Sequence, residues 1–152
     1  MASAQAAQHW LANHKAKLID VDDDYSTAAV VTGSVVDMRD YEGIVIIAMA
    51  SALTGSGITQ LEIVATDESD GTGNITQIAT TGAVAADAVG DFVVLEATVE
   101  QMRHASDAGG YSSRYMGARL ENDNAADEAV LAVIRYGYKH GPALNHTANT
   151  IA

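Results

Sequence analysis

The chain has 152 residues, which fits one domain, and its 48% hydrophobic and 18% charged residues are typical of a globular and not of a disordered protein. Its formal net charge of −12 would repel a phosphate backbone, so nucleic-acid binding is not expected. The sequence has no cysteine, no apolar run near the ~20 residues that span a membrane and no signal-peptide pattern, so we expect a soluble protein without disulfides or thiolate sites.

Residues 1–27 are predicted to form an N-terminal arm and an acidic linker. Good helix formers fill residues 2–17, with Ser3 as their possible N-cap, which predicts a short helix. The large apolar side chains of this segment are Trp10 and Leu11, so it is either an arm that docks on a neighbouring subunit or a frayed terminus. The sequence DVDDD that follows has four carboxylates within five positions, and their repulsion favours an exposed, extended linker.

The folded domain is predicted to span residues 28–141, and its first part contains two apolar segments. Residues 28–38 indicate one bulged strand or two short strands, because Gly33 interrupts the run. Residues 43–53 contain the continuous apolar run IVIIAM, which predicts a central strand that is covered on both faces or buried at a subunit interface. The candidate partner-binding residues are therefore Ile44, Ile46 and Met49, in addition to Trp10 and Leu11.

Apolar and polar side chains alternate in residues 59–69, which predicts a half-buried strand. The predicted inward residues are Leu61, Ile63 and Ala65, and the predicted outward residues are Gln60, Glu62 and Thr66. The turn 67–74 follows, and its Asp-Gly pair supplies the positive φ that a tight hairpin needs. Residues 75–80 are predicted to form a short strand, and residues 80–90 either a loop or a strand of small residues.

Three further strands are predicted at residues 91–103, 114–121 and 129–139, separated by Gly-rich and Asn/Asp-rich breaks. The side chains that their alternation points inward include Val93, Leu95, Ala97, Val99, Met116, Ala118, Leu120 and Ile134. The last strand is expected to end at a Gly-Pro pair, so residues 142–152 are predicted to be a flexible tail.

The spacing of these strands predicts an all-β fold. Parallel strands would need crossover helices between them, and the pattern indicates none. Seven or so short antiparallel strands are typical of a β-sandwich, with a jelly roll or a related Greek key as the expected topology. No internal repeat of 20 to 50 residues is apparent, which argues against a propeller or a solenoid.

Metal-binding and catalytic patterns are weak. Asp20, Asp22 and Asp24 match the first ligand positions of a calcium loop, but Tyr25 stands where that loop requires glycine. A looser calcium site at these residues, or in the acidic turn 67–74, stays open beside the interpretation as solvated turns. The five histidines lie in no metal-binding spacing, and the serines of GGYSSR do not fit a nucleophile elbow. We therefore expect no enzyme activity, no cofactor and no metal.

The charges are unevenly distributed along the chain. No Lys or Arg lies between Asp40 and Met102, whereas five basic residues lie in the last third. One interpretation is a solvated acidic surface that aids solubility. The alternative is an acidic face that complements a basic protein partner.

Three segments resemble small structural proteins of tailed bacteriophages: VVDMRDYEGIVIIAMASAL at residues 35–53, TQLEIVATDESDGTGNITQIAT at 59–80, and SRYMGARLENDNAADEAVLAVIRYGYKHGP at 113–142. In those proteins an Asp-containing strand leads through a Y-E-G step into an apolar strand. An acidic Gly turn follows, and an R-Y-x-x-x-R-L strand pairs with the last strand.

The resemblance implies a virion component, a capsid decoration or cement protein that is made in the host cytoplasm and bridges subunits of the major capsid protein, as a homotrimer. A head-tail connector or tail-associated protein is the alternative within the virion. A carbohydrate- or receptor-binding sandwich is a further alternative. It is disfavoured because sugar sites use exposed aromatic side chains, and Trp10 and Phe92 are the only Trp and Phe of the chain.

Overall fold

A computed structural model describes residues 15–21, 25–83 and 86–139 of the chain. Within them, the strands are β1 (Lys15–Val21), β2 (Ala29–Val30), β3 (Val36–Asp37), β4 (Gly43–Ala52), β5 (Ile58–Thr66), β6 (Ile75–Thr80), β7 (Phe92–Thr98), β8 (Tyr115–Asn122) and β9 (Glu128–Tyr136), with one helix, α1 (Val99–Ala108), between β7 and β8. The predicted all-β class is confirmed.

The strands form two sheets that pack as an antiparallel sandwich. Sheet A has the order β1-β9-β4-β7, and sheet B has the order β2-β8-β5-β6, with β3 also paired to β8. Strands β2 and β3 pair with the two ends of β8, so together they act as one interrupted edge strand. Counted in this way, the two four-stranded sheets have the strand order of a jelly roll.

The core lies between the inner faces of the two sheets. On β8 the predicted inward residues Met116, Ala118 and Leu120 are fully buried, which confirms the period-2 prediction for that strand. On β9 the prediction is wrong by one residue: Leu131 and Val133 face the core, whereas Ile134 lies on the outer face.

The N-terminal segment is more integral to the fold than predicted. Residues 15–21, assigned above to the arm, form the edge strand β1 and pair with β9 along its length. Lys17 points across the open side of the sandwich, and its ammonium group donates a hydrogen bond of 2.6 Å to the carbonyl oxygen of Gly33. The helix predicted over residues 2–17 is therefore wrong at its last three residues, and its remainder lies outside the described residues.

Helix α1 replaces the last five residues of the strand predicted over residues 91–103. The hydroxyl of Thr98 accepts the backbone N–H of Gln101, and the Gln101 side chain accepts the backbone N–H of Thr98, which forms a capping box. Val99 and Met102 on the helix are buried against the sandwich. Because α1 contacts both β6 and β7, it bridges the edges of the two sheets on that side.

Most of the outer face of β5 is covered. The predicted outward residues Glu62 and Thr66 are only 2% and 0% exposed. Glu62 is paired with Arg119 of β8, and the segment between β2 and β3 crosses close to Gly117, where a side chain would collide with Val35. The prediction of a solvated face on this strand is wrong, because a loop takes the place of water there.

Candidate docking surface

The outer face of sheet A is lined by apolar side chains contributed by all four strands. The pairing register places Leu18, Ala132, Ile47 and Val94 in one row across the sheet. The rows on either side add more side chains of the same kind, because residues opposite each other on paired strands share a face. We call this surface the apolar face and define it as Ala16, Leu18, Val45, Ile47, Met49, Phe92, Val94, Val130, Ala132 and Ile134.

Four large side chains of the apolar face are exposed to an unusual degree. Phe92 is 65% exposed, Leu18 53%, Val94 49% and Met49 39%. Exposed hydrophobic residues are ordinary when they are scattered singly, but a contiguous group marks an interaction site. Among the described residues, no loop or helix lies over this sheet, in contrast to the covered β5 of sheet B.

The dimensions of the apolar face follow from sheet geometry. Four strands ~4.8 Å apart and about five residues of ~3.3 Å rise give a patch of roughly 300 to 400 Å². The largest apolar patch of a typical monomeric protein is of this size, and it is often functional. The area is about half of the ~800 Å² that each partner contributes to a standard protein interface.

One end of the apolar face is bordered by acidic side chains. Asp20 lies in the same row as Met49 and Phe92. Glu128 begins β9 and shares the outer face with Val130. Both carboxylates are exposed, and neither has a partner among the described residues. We call these two residues the acidic rim.

The opposite end of the apolar face is closed by an aromatic ring. Tyr136 lies over Gly43, so that any side chain at that glycine would collide with the ring. The Tyr136 hydroxyl donates a hydrogen bond of 2.6 Å to Glu96. Burial, together with the adjacent Glu96 carboxylate, raises the pKa of Tyr136 to about 12, so this hydroxyl stays protonated at physiological pH.

The basic residues gather at the end of the sandwich where β1 begins and β9 ends. Six of the eight Lys and Arg residues lie there, namely Lys15, Arg39, Arg103, Arg114, Arg135 and Lys139. Arg114 pairs with Asp37, and Arg135 stacks 4.4 Å from the Tyr41 ring centroid while donating to the Asp37 carbonyl. The charges that are separated along the sequence are thus partly paired in space.

The other end of the sandwich is held by one buried carboxylate. Asp127, only 1% exposed, accepts the backbone N–H groups of Thr54, Gly55 and Gly57. Burial alone would raise the pKa of Asp127, but these hydrogen bonds outweigh it and hold the pKa below its usual value. The loop of Gly55, Ser56 and Gly57 thus encloses an internal anion, the Asp127 carboxylate.

The predicted partner-binding residues fall in three different places. Ile44 and Ile46 are fully buried in the core, so their side chains are not available to a partner in this structure, because they lie on the inner face of β4. Met49 lies on the apolar face, and its partner binding stays a prediction. Trp10 and Leu11 lie outside the described residues.

The strand predicted for residues 43–53 is present, and its burial at a subunit interface stays a prediction. Strand β4 is central, but only its inner face is buried. Phe92 and Val94, which sequence reasoning missed, occupy the outward positions of a strand whose inward set had been assigned. Two large apolar side chains at outward positions were the signal that could have revealed the apolar face.

The described residues hold no group of three or more His, Asp or Glu that could bind a metal ion. In the acidic turn, Asp67 accepts from Asn74, and Asp70 accepts from Thr72. A cleft of about 480 Å³ beside α1 is lined by Gln77, Ile78, Thr98, Glu100, Gln101, His104 and Ala105, without a Trp, Tyr or Phe on which a sugar could stack. No helix in the described part of the chain is long and apolar enough to cross a membrane.

No protein-family model matches the sequence, and no curated protein is significantly similar to it. Solved structures that match most of the chain do so at low sequence identity and low TM-score. The SPBc2 prophage-derived protein YomS is 6% identical over 82% of this chain and 95% of its own, with a TM-score of 0.44. The capsid of Ralstonia phage GP4 is 12% identical over 84% of both chains, with a TM-score of 0.43.

A chitosan-binding module from a Paenibacillus sp. IK-5 chitosanase/glucanase is 14% identical over 85% of this chain and 99% of its own, with a TM-score of 0.36. At identities this low, none of these likenesses indicates what the chain does. Function therefore rests on the surface and on the sequence itself.

Proposed function

We propose that the protein is a non-enzymatic structural component of a virion, a decoration or cement protein that binds the outside of the capsid shell and bridges subunits of the major capsid protein. The resemblance of residues 35–142 to small structural proteins of tailed phages motivates the proposal. The single observation that carries it is the apolar face, which draws on all four strands of sheet A and is uncovered among the described residues.

The size of the apolar face indicates how such a protein would bind. At ~25 cal/mol per Å², removing roughly 300 to 400 Å² from water gains about 8 to 10 kcal/mol on this side of the interface. Association costs an estimated 4 to 15 kcal/mol. One subunit therefore binds weakly by this face alone, and stable decoration requires several linked subunits. The predicted homotrimer fits this requirement and stays a prediction.

Co-sedimentation with empty shells assembled without this protein tests the proposal. We expect the wild-type protein to pellet with shells and Met49→Ser to pellet several-fold less. Ile75→Ser is the matched control, because Ile75 and Met49 are both 39% exposed but Ile75 lies on β6 of sheet B. The control variant should pellet like the wild type.

If the wild-type protein fails to pellet with shells at low salt, the decoration role is wrong. A count of copies per virion then examines the alternative within the virion. Hundreds of copies would indicate a shell component, and the few copies of a ring would indicate a neck or tail part. Binding that Met49→Ser and Ile75→Ser weaken equally would show that the apolar face is not the docking surface.

A further inference from the structure

Resting on the proposed function, we infer that the apolar face docks on a protein surface that is apolar at its centre and carries Lys or Arg at its margin, and that its occupant is not a second copy of this chain. The inference follows from the charges around the face. It identifies the chemistry of the partner, which the apolar side chains alone leave open.

The acidic rim is the first observation. Asp20 and Glu128 border the end of the face that holds Met49 and Phe92, and they are exposed without hydrogen-bond partners among the described residues. A docked surface would bring its own side chains against these carboxylates. Basic side chains there would gain charge attraction, whereas apolar side chains would only desolvate them.

The second observation is that no Lys or Arg of the described residues lies on the apolar face. The two lysines of β1 lie on its inner side, opposite Val133 and Arg135 of β9. Arg135 itself donates to the Asp37 carbonyl. Glu96 stands at the far end of the face and accepts a hydrogen bond from Tyr136, so each end of the face itself carries a carboxylate.

These charges disfavour a second copy as the occupant. When two apolar faces of this chain are stacked, a parallel orientation sets the two acidic rims against each other, and an antiparallel orientation sets each rim against the Glu96 end. The Lys and Arg residues gathered at that end of the sandwich are not among the residues of the apolar face. Like charges that oppose each other across an interface cost several kcal/mol. The patch of roughly 300 to 400 Å² is also well below the ~800 Å² per partner of a standard interface, so little hydrophobic gain would offset that cost.

A pair of charge-matched variants tests the inference on shells. The rim variant carries Asp20→Asn and Glu128→Gln, and the control variant carries Glu68→Gln and Asp107→Asn, two exposed residues away from the apolar face. Both variants lose two negative charges. Exposed ion pairs contribute about 0.2 to 1 kcal/mol each, so we expect the rim variant to bind shells roughly 2- to 30-fold more weakly than the control variant. Added salt should narrow the difference. Equal binding of the two variants would overturn the inference.

A second measurement judges the inference without shells, so that its failure is distinguishable from failure of the proposed function. The same variants are eluted with salt from hexylamine-agarose, which presents an apolar chain with a positive charge, and from uncharged hexyl-agarose. We expect the rim variant to leave hexylamine-agarose at lower salt than the control variant, with no difference on hexyl-agarose. Equal elution from both resins contradicts the inference.

Sedimentation velocity measures whether the protein and its variants self-associate in solution. Wild-type self-association that Met49→Ser abolishes and Ile75→Ser leaves intact would mean that a second copy occupies the face, which would overturn the inference. Self-association that both substitutions leave unchanged places the contact between copies elsewhere and supports it.

Discussion

Gly57 donates its backbone N–H to the carboxylate of Asp127 at 2.9 Å, across 70 residues of sequence. The same carboxylate accepts the backbone N–H groups of Thr54 at 2.5 Å and Gly55 at 2.8 Å. One buried side chain therefore joins the loop between β4 and β5 to the loop between β8 and β9. Because these loops connect the two sheets, Asp127 closes one end of the sandwich.

We expect Asp127→Ala to lower the free energy of unfolding by about 2 to 4 kcal/mol. The substitution removes hydrogen bonds to a charged acceptor, each worth about 1.5 to 3 kcal/mol, and leaves backbone N–H groups that water satisfies only in part. Urea unfolding followed by circular dichroism measures the change. Asp123→Ala is the control, because Asp123 is exposed and accepts only the Ser56 N–H. Its cost should stay within about 1 kcal/mol, and equal costs for both variants would refute the role of Asp127.

Acid should destabilise the protein by protonating carboxylates that accept hydrogen bonds in the folded state. The hydrogen bond from Arg114 lowers the pKa of Asp37 to about 2, below the ~3.9 of an unfolded aspartate. A depressed folded-state pKa contributes stability that is fully present above the unfolded value and is lost as pH falls through the folded value. The pKa of Asp127 is shifted in the same direction. We therefore expect the melting temperature to fall between about pH 4 and pH 2.

Thermal unfolding across this pH range measures the effect. Asp37→Asn should be less stable than the wild type at neutral pH and should lose less stability on acidification, because one of the depressed carboxyl groups is gone. Identical pH profiles for the two proteins would show that Asp37 does not contribute to the acid response.

Alternation of side chains predicts a strand well where one face is buried and the other is exposed to solvent. Strand β8 is the clearest case, since Met116, Ala118 and Leu120 alternate with more polar residues and all three are buried. The jelly-roll order could be anticipated only as a class, because the pairing of β1 with β9 joins residues at opposite ends of the chain.

Three features could not be derived from the alternation of side chains. Strand β1 has Lys15 and Lys17 at inward positions, so its edge location hides the pattern. Helix α1 continues the apolar alternation of β7 as far as Val99, and only the Thr98 to Gln101 capping spacing marks the change. The contribution of Phe92 and Val94 to the apolar face escaped prediction because β7 has large apolar residues at inward and outward positions alike.

The corrected register of β9 has a direct test. Leu131 is fully buried on the inner face, whereas Ile134 is half-buried on the outer face. We expect Leu131→Ala to cost about 2 to 5 kcal/mol of unfolding free energy and Ile134→Ala less than about 1.5 kcal/mol. Chemical denaturation of the two variants measures both. A larger loss at Ile134 than at Leu131 would restore the register predicted from the sequence.

The last prediction separates the arm from the edge strand. Deleting residues 2–12 removes Trp10 and Leu11 and leaves β1 whole, so we expect an unchanged free energy of unfolding and a lower occupancy on shells. Deleting residues 2–17 also removes three of the seven residues of β1 and the hydrogen bond from Lys17 to Gly33. That deletion should cost a further 1 to 3 kcal/mol, roughly the loss that follows from breaking native contacts at one site.

Urea unfolding and co-sedimentation of both deletions with empty shells give the two readouts. Equal stability of the deletions would show that β1 contributes little to the sandwich. Equal pelleting of the full chain and the shorter deletion would show that Trp10 and Leu11 do not dock on a neighbouring subunit. The apolar face would then be the whole docking surface, because Met49→Ser would still release the protein from the shell.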